Sequence, residues 1–189
     1  GKVERFDERN TVFSRNLWDE DYQALVKAAT AKAKPGDWSI FEGNAVVAGA
    51  IYVDNTAGVL HPNYYGYGGH LSGDAGLFGW DDPVNEKQFP VDDPLWMTER
   101  VKQVARLYGA NLVGVTKVNP NWIYSHYFER PTGNYGKLEM RMKYAIVIGI
   151  EMDWDWIKHS PYPEASAATA LVYSRMAEVS SSLAKYIRA

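Results

Sequence analysis

PEASAATALVYSRMAEVSSSLAKYIRA, residues 163–189, reads as one long helix, and the rest of the chain is organised around it. Ser160 is placed to cap it, Pro161 and Pro163 suit a first turn, and Glu164 sets a negative charge at the positive end of the helix dipole. Ala168, Val172, Met176, Val179, Leu183 and Ile187 recur at three- and four-residue spacing and form one apolar stripe, which predicts a core-facing side. A second stripe, Ser166, Thr169, Tyr173 and Ala177, surrounds a single phenol with small side chains. Space of that kind holds either a ligand or a packed tyrosine whose hydroxyl is bonded to a backbone carbonyl.

Working back from this helix, Tyr144 to Met152 (YAIVIGIEM) is a nearly continuous apolar run, the pattern of a strand buried on both faces. Asp153 and Asp155 with their interleaved tryptophans then make a turn. Asn111 to Val118 predicts a second strand, broken by Asn119-Pro120-Asn121. Asp92-Asp93-Pro94 opens a helix, and Gly109 stands where its C-terminus favours a left-handed residue. Met97, Val101, Val104, Ala105 and Tyr108 would be its buried face. These elements predict an α/β class: strands 111–118 and 144–152 paired in one layered sheet, with helices 93–108 and 163–188 packed on it.

The front of the chain carries weaker signals. Residues 1–19 read as an extended arm with scattered aromatics, in which Phe13 pins the arm to the body. Glu20 to Ala33 predicts a surface helix stopped by Pro35-Gly36. Residues 38–53 read as strands either side of a turn at Glu42-Gly43-Asn44, although AVVAGA (45–50) fits a short buried helix equally. Residues 54–80 hold seven glycines with Tyr64, Tyr65 and Tyr67, a long loop that either walls a flat ligand or packs on itself. Residues 122–136 read as an aromatic loop containing His126, Glu129 and Arg130, residue types able to do catalysis, with packing as the favoured role.

Composition sets bounds on function. At 189 residues and 46% hydrophobic, the chain can bury a real core. A net charge of −3 offers no basic field for nucleic acid, and no apolar run approaches the ~20 residues needed to span a bilayer. The absence of cysteine excludes disulfides, thiolate nucleophiles and cysteine-held clusters within these residues. The four histidines, His61, His70, His126 and His159, are too dispersed for a protein metal site, and neither a phosphate-binding glycine loop nor a GxSxG elbow occurs.

The words VKQVARLYGANLVGVTKVNPNWIYSHYF (101–128) and ATALVYSRMAEV (168–179), in that order along the chain, resemble the corrinoid and iron-sulfur dependent reductive dehalogenases. The similarity runs from roughly residue 98 to 189, with a fainter hint near the N-terminus. The resemblance implies a partial corrinoid-binding, nitroreductase-like domain, with residues 1–92 as an arm and aromatic region and 93–189 as the front half of the reductase domain. It implies Tyr173 as proton donor and Thr169, Phe13 and Ser14 as substrate-cavity residues. Arg175, two residues along the helix, is rotated roughly 200° from Tyr173 and cannot easily serve it.

The implied cofactors are a corrinoid and two iron-sulfur clusters, the latter held by cysteines of a later, ferredoxin-like part. The implied partners are a small organohalide, the remaining C-terminal part of the enzyme and a membrane-anchor subunit, at the outer face of the cytoplasmic membrane after export. The 189 residues alone are therefore expected to be inactive. Two competing readings are an enzyme resembling epoxyqueuosine reductase and a non-catalytic corrinoid-binding or structural module.

Overall fold

A computed structural model describes residues 3–31, 40–53, 84–128, 133–140 and 142–189. The glycine- and tyrosine-rich stretch 54–80, Pro35-Gly36, and Glu129 with Arg130 lie outside the described residues. In chain order the elements are α1 (Val12–Trp18), α2 (Glu20–Ala31), α3 (Ile40–Ala50), α4 (Pro94–Leu107), β1 (Leu112–Lys117), β2 (His126–Phe128), β3 (Tyr135–Lys137), β4 (Tyr144–Gly149), α5 (Trp154–Ile157) and α6 (Pro163–Arg188), with single 3₁₀ turns at Glu8–Asn10 and Pro120–Trp122. They form two compact units, one from residues 1–34 and 116–145, the other from 35–115 and 146–189.

The second unit is built on α6. Its core joins Ala105 and Ala110 to Val179 and Leu183, with Val101, Val104, Tyr108, Val113, Ile146, Ile148 and Ile150 packed against them. The sequence places those residues by ordinary local rules. Asp93 Oδ1 accepts the Leu95 and Trp96 N–H groups at 2.9 and 3.3 Å, Pro94 opens α4, and Gly109 ends it at φ +114°. Immediately after that turn β1 pairs with β4, and Asn111 N–H donates to the Gly149 carbonyl at 3.0 Å. The Asn111 side chain extends the link by accepting the Glu151 N–H at 2.9 Å.

Two expectations for this unit are corrected. β4 is not buried on both faces: Ile146 and Ile148 face the helices, whereas Val147 is 57% exposed. A strand alternates its side chains, so helices on one side cover only every second residue, however apolar the run. Ser160 does not cap α6 either; Tyr162 holds the cap position and makes no side-chain capping bond. Pro163 nevertheless takes the first helical turn, where its missing N–H costs nothing.

Residues 40–50 form a helix, α3, which resolves the two readings of that stretch. The turn signal at Gly43 is overridden by packing. Gly43 is buried against α6, and a Cβ on it would lie 2.5 Å from the Pro163 Cβ, so the backbones approach as only glycine allows. Further along, Ser174 Oγ donates to the Ala50 carbonyl at 2.6 Å. Ala167, Ala170 and Ser174, spaced i, i+3 and i+7, share that face of α6 and are all buried. The long helix thus buries a second, small-residue side besides its apolar stripe.

In the first unit, residues 1–19 are not an extended arm throughout. Thr11 Oγ1 accepts the Ser14 N–H at 3.3 Å and starts α1, a helix too short for periodicity to reveal. Asp19 then ends α1 and opens α2, accepting the Tyr22 N–H at 3.0 Å and pairing with Arg15 at 2.7 Å. The aromatic segment expected as a loop contains a short antiparallel pair, with His126 opposite Lys137 and Phe128 opposite Tyr135.

Residues 5–10 are fastened to that pair by polar groups. The Arg5 guanidinium donates to the carbonyls of Ile123 (2.9 Å), Leu138 (3.2 Å) and Tyr124. Ser125 N–H donates to the Phe6 carbonyl at 2.7 Å, and buried Glu8 accepts the Phe128 N–H through Oε2 at 3.1 Å.

Candidate functional site

Four residues were singled out from the sequence, and they fall on two elements. Thr169 and Tyr173 lie one turn apart on α6, both half-buried, on the arc between the apolar stripe and the small-residue face. Ser166 and Ala177 flank them along the same stripe, Ser166 exposed and Ala177 half-buried. The Thr169 hydroxyl donates back to the Ala165 carbonyl at 3.0 Å. Its proton is therefore committed to the helix, and what Thr169 presents outward is a methyl group and acceptor lone pairs.

Phe13 and Ser14 are adjacent on α1 but differ sharply in setting. Phe13 is 60% exposed, whereas Ser14 is 1% exposed, with its N–H on Thr11 Oγ1 and its Oγ accepting the Thr11 hydroxyl at 3.0 Å. Ser14 is thus part of the cap that starts α1.

Two further groups on α6 escaped the reading by periodicity. Glu164 is 8% exposed, and its Oε2 has no hydrogen-bond partner among the described residues. Nine residues separate it from Tyr173, a rotation of about 180° on a helix, so the carboxylate and the phenol address opposite sides. Ser174, next to Tyr173, is engaged with α3 as described above. Serine in a helix reads as a surface residue; only its i, i+3, i+7 spacing with Ala167 and Ala170 could have signalled a buried face.

The first unit holds a separate polar cluster. Tyr135 Oη donates to Asp7 Oδ2 at 2.5 Å, and this bond raises the phenol above its ordinary value of 10.0. His126 stacks on Tyr135 with ring centroids 5.1 Å apart, and its Nδ1 lies 3.1 Å from Ser125 Oγ and 3.9 Å from Asp7 Oδ2. The Arg9 guanidinium lies over the Trp18 ring at 4.5 Å. These groups tie residues 7–9 to β2 and β3, which is the packing role expected of His126. Among the described residues no group of three or more His, Cys, Asp or Glu is arranged to hold a metal ion, and no helix is long and apolar enough to cross a membrane.

No family model matches the chain. It is similar to the tetrachloroethene reductive dehalogenase of Sulfurospirillum multivorans, with 28% identity over 77% of this chain and 35% of that protein. It is also similar to the tetrachloroethene reductive dehalogenase of Dehalobacter restrictus (strain DSM 9455 / PER-K23), with 26% identity over 60% of this chain and 28% of that protein. The resemblance to reductive dehalogenases read from residues 101–128 and 168–179 is thereby borne out. The chain spans about a third of the length of these relatives.

Proposed function

We propose that this chain contributes the Thr169–Tyr173 face to a corrinoid-dependent reductive dehalogenase, within a domain of the nitroreductase-like corrinoid-binding class. The observation that carries the reading is the similarity to two tetrachloroethene reductive dehalogenases over most of the chain, together with a phenol half-buried among small side chains. The reaction is the replacement of halogen by hydrogen: two electrons and one proton enter, the carbon–halogen bond breaks, a carbon–hydrogen bond forms and halide leaves.

The donor chemistry of α6 fits a corrinoid laid against it. Thr169 and Tyr173 would bound the macrocycle, Ser166 and Ala177 are small enough to leave room beside the phenol, and no side chain on this face competes as a strong metal ligand. A bound corrinoid supplies the two-electron reduction of the carbon–halogen bond. Tyr173 holds the proton at Oη and gives it to the carbon as negative charge develops there. A phenol positioned at that carbon acts as a general acid toward the developing charge. Thr169, with its hydroxyl proton turned to the backbone, shapes the cavity with its methyl group. Iron-sulfur clusters do not fit these residues, because the chain has no thiolate to hold them.

The test is Tyr173→Phe in the full-length protein purified anaerobically. The visible spectrum should show an unchanged corrinoid complement, while halide release falls by roughly 10²–10⁴, the usual worth of a general acid. Full turnover in the Phe variant would remove Tyr173 from the site, and a full-length protein with no corrinoid absorbance would remove the reading altogether.

A further inference from the structure

We propose that Ser174 is a positioning residue for Tyr173, setting the rotation of α6 about its axis through the hydrogen bond to the end of α3. The proposal rests on the proton-donor reading of Tyr173 for its catalytic meaning, but its geometric content stands on the fold alone.

The face that α6 turns to α3 is made of small residues, Ala167, Ala170 and Ser174, with Gly43 against Pro163 at the first turn. Small side chains let two helices approach closely but interlock poorly, so packing alone fixes rotation weakly. A hydrogen bond is directional. Ser174 is 4% exposed, and its Oγ meets the Ala50 carbonyl at 2.6 Å, at the C-terminal end of α3 where carbonyls lack donors from their own helix. Together with the Gly43–Pro163 contact it defines α6 against α3 at two points along the helix.

Tyr173 is the immediate neighbour of Ser174, so its direction follows that setting. A phenolic oxygen stands well outside the ~2.3 Å radius of the Cα atoms, and a small rotation of α6 is magnified there. A misplacement near 1 Å can cost about 10²-fold in rate.

The test uses the 189-residue chain labelled with 3-fluorotyrosine, in which Tyr173→Phe identifies the Tyr173 fluorine resonance. Ser174→Ala should displace that resonance and leave that of Tyr108, in the core, in place. Val179→Ala, which weakens the same helix in the cluster against which Tyr108 packs, should leave the Tyr173 resonance in place. If Ser174→Ala unfolds the chain, Ser174→Cys, which keeps the volume and weakens the donor, is read in the same way. An unmoved Tyr173 resonance in the folded Ser174 variant, or an equal displacement in Val179→Ala, overturns the proposal. In the full-length enzyme Ser174→Ala should lower kcat with little change in KM, and should cost nothing further in a Tyr173→Phe background. A further loss in that background also overturns it. Full turnover by Tyr173→Phe alone would instead remove the proton-donor reading, leaving the fluorine result to decide the geometry.

Discussion

Gly43 and Gly49 stand in the same helix, α3, and offer a direct test of how closely that helix approaches α6. An alanine Cβ at 43 would lie 2.5 Å from Pro163 Cβ and 2.8 Å from its Cγ, whereas at 49 it meets nothing within 4 Å among the described residues. Both substitutions gain helix propensity, about 0.8–1.0 kcal/mol in a helix interior and less near the end where Gly49 sits. Only Gly43→Ala also overpacks a closed contact, at a cost of about 1–3 kcal/mol. The expected result is a Gly49→Ala chain slightly more stable than the parent and a Gly43→Ala chain from neutral to roughly 2 kcal/mol less stable. At about 2–4 °C per kcal/mol for a chain of this size, thermal unfolding followed by circular dichroism separates the two. Because propensity largely cancels between them, their difference reports the helix contact. If Gly43→Ala stabilised the chain as much as Gly49→Ala does, the close approach of α3 to α6 would be refuted, and the hydrogen bond from Ser174 to Ala50 with it.

Leu183→Ala should cost about 2–5 kcal/mol in urea unfolding, since Leu183 belongs to the buried cluster with Ala105, Ala110 and Val179. The Asp19 carboxyl is held below its ordinary value of 3.8 by the Tyr22 N–H and by Arg15, so its contribution is complete above that value and is lost as pH falls through the lowered one. Protection of the Tyr22 amide from exchange should therefore decline on acidification below 3.8, and Asp19→Asn should abolish that pH dependence. Tyr135 behaves with the opposite sign: its phenol is raised by donation to Asp7, so the link between them persists below 10.0 and is lost as pH rises through the raised value. Ultraviolet titration should show Tyr135 ionising later than in an Asp7→Asn variant.

Where a local rule has no competitor, the sequence was enough. Asp93, Pro94 and Gly109 mark both ends of α4, and the spacing of Val179 and Leu183 identifies the side of α6 that meets it. Local patterning failed where tertiary contact decides. The run from Tyr144 to Ile150 is apolar at nearly every position, so it cannot say that helices cover Ile146 and Ile148 and leave Val147 open. The turn signal around Gly43 yields to a helix because a glycine is needed there for the approach of Pro163, which is distant in sequence. Thr11 caps a helix of seven residues, two turns that offer too few apolar positions for any period to emerge.

The candidate site divides along the same line. Thr169 and Tyr173 are found together because four residues on one helix share a face, and no long-range information is needed for that. The contact proposed to set the rotation of α6 joins residues 50 and 174, and nothing about Ser174 in isolation distinguishes it from exposed Ser180. The same holds for Arg5 and Glu8, which the sequence places in a charged arm. In the fold they bond to the backbone of residues 123, 124, 128 and 138, with Glu8 buried. Charged side chains that substitute for a strand partner obey no period, because their acceptors are chosen by where the backbone happens to expose unpaired groups. A reading by periodicity therefore recovers the residues that face a site before it recovers those that aim them, and in this chain the aiming residues are serine, glycine and buried charge.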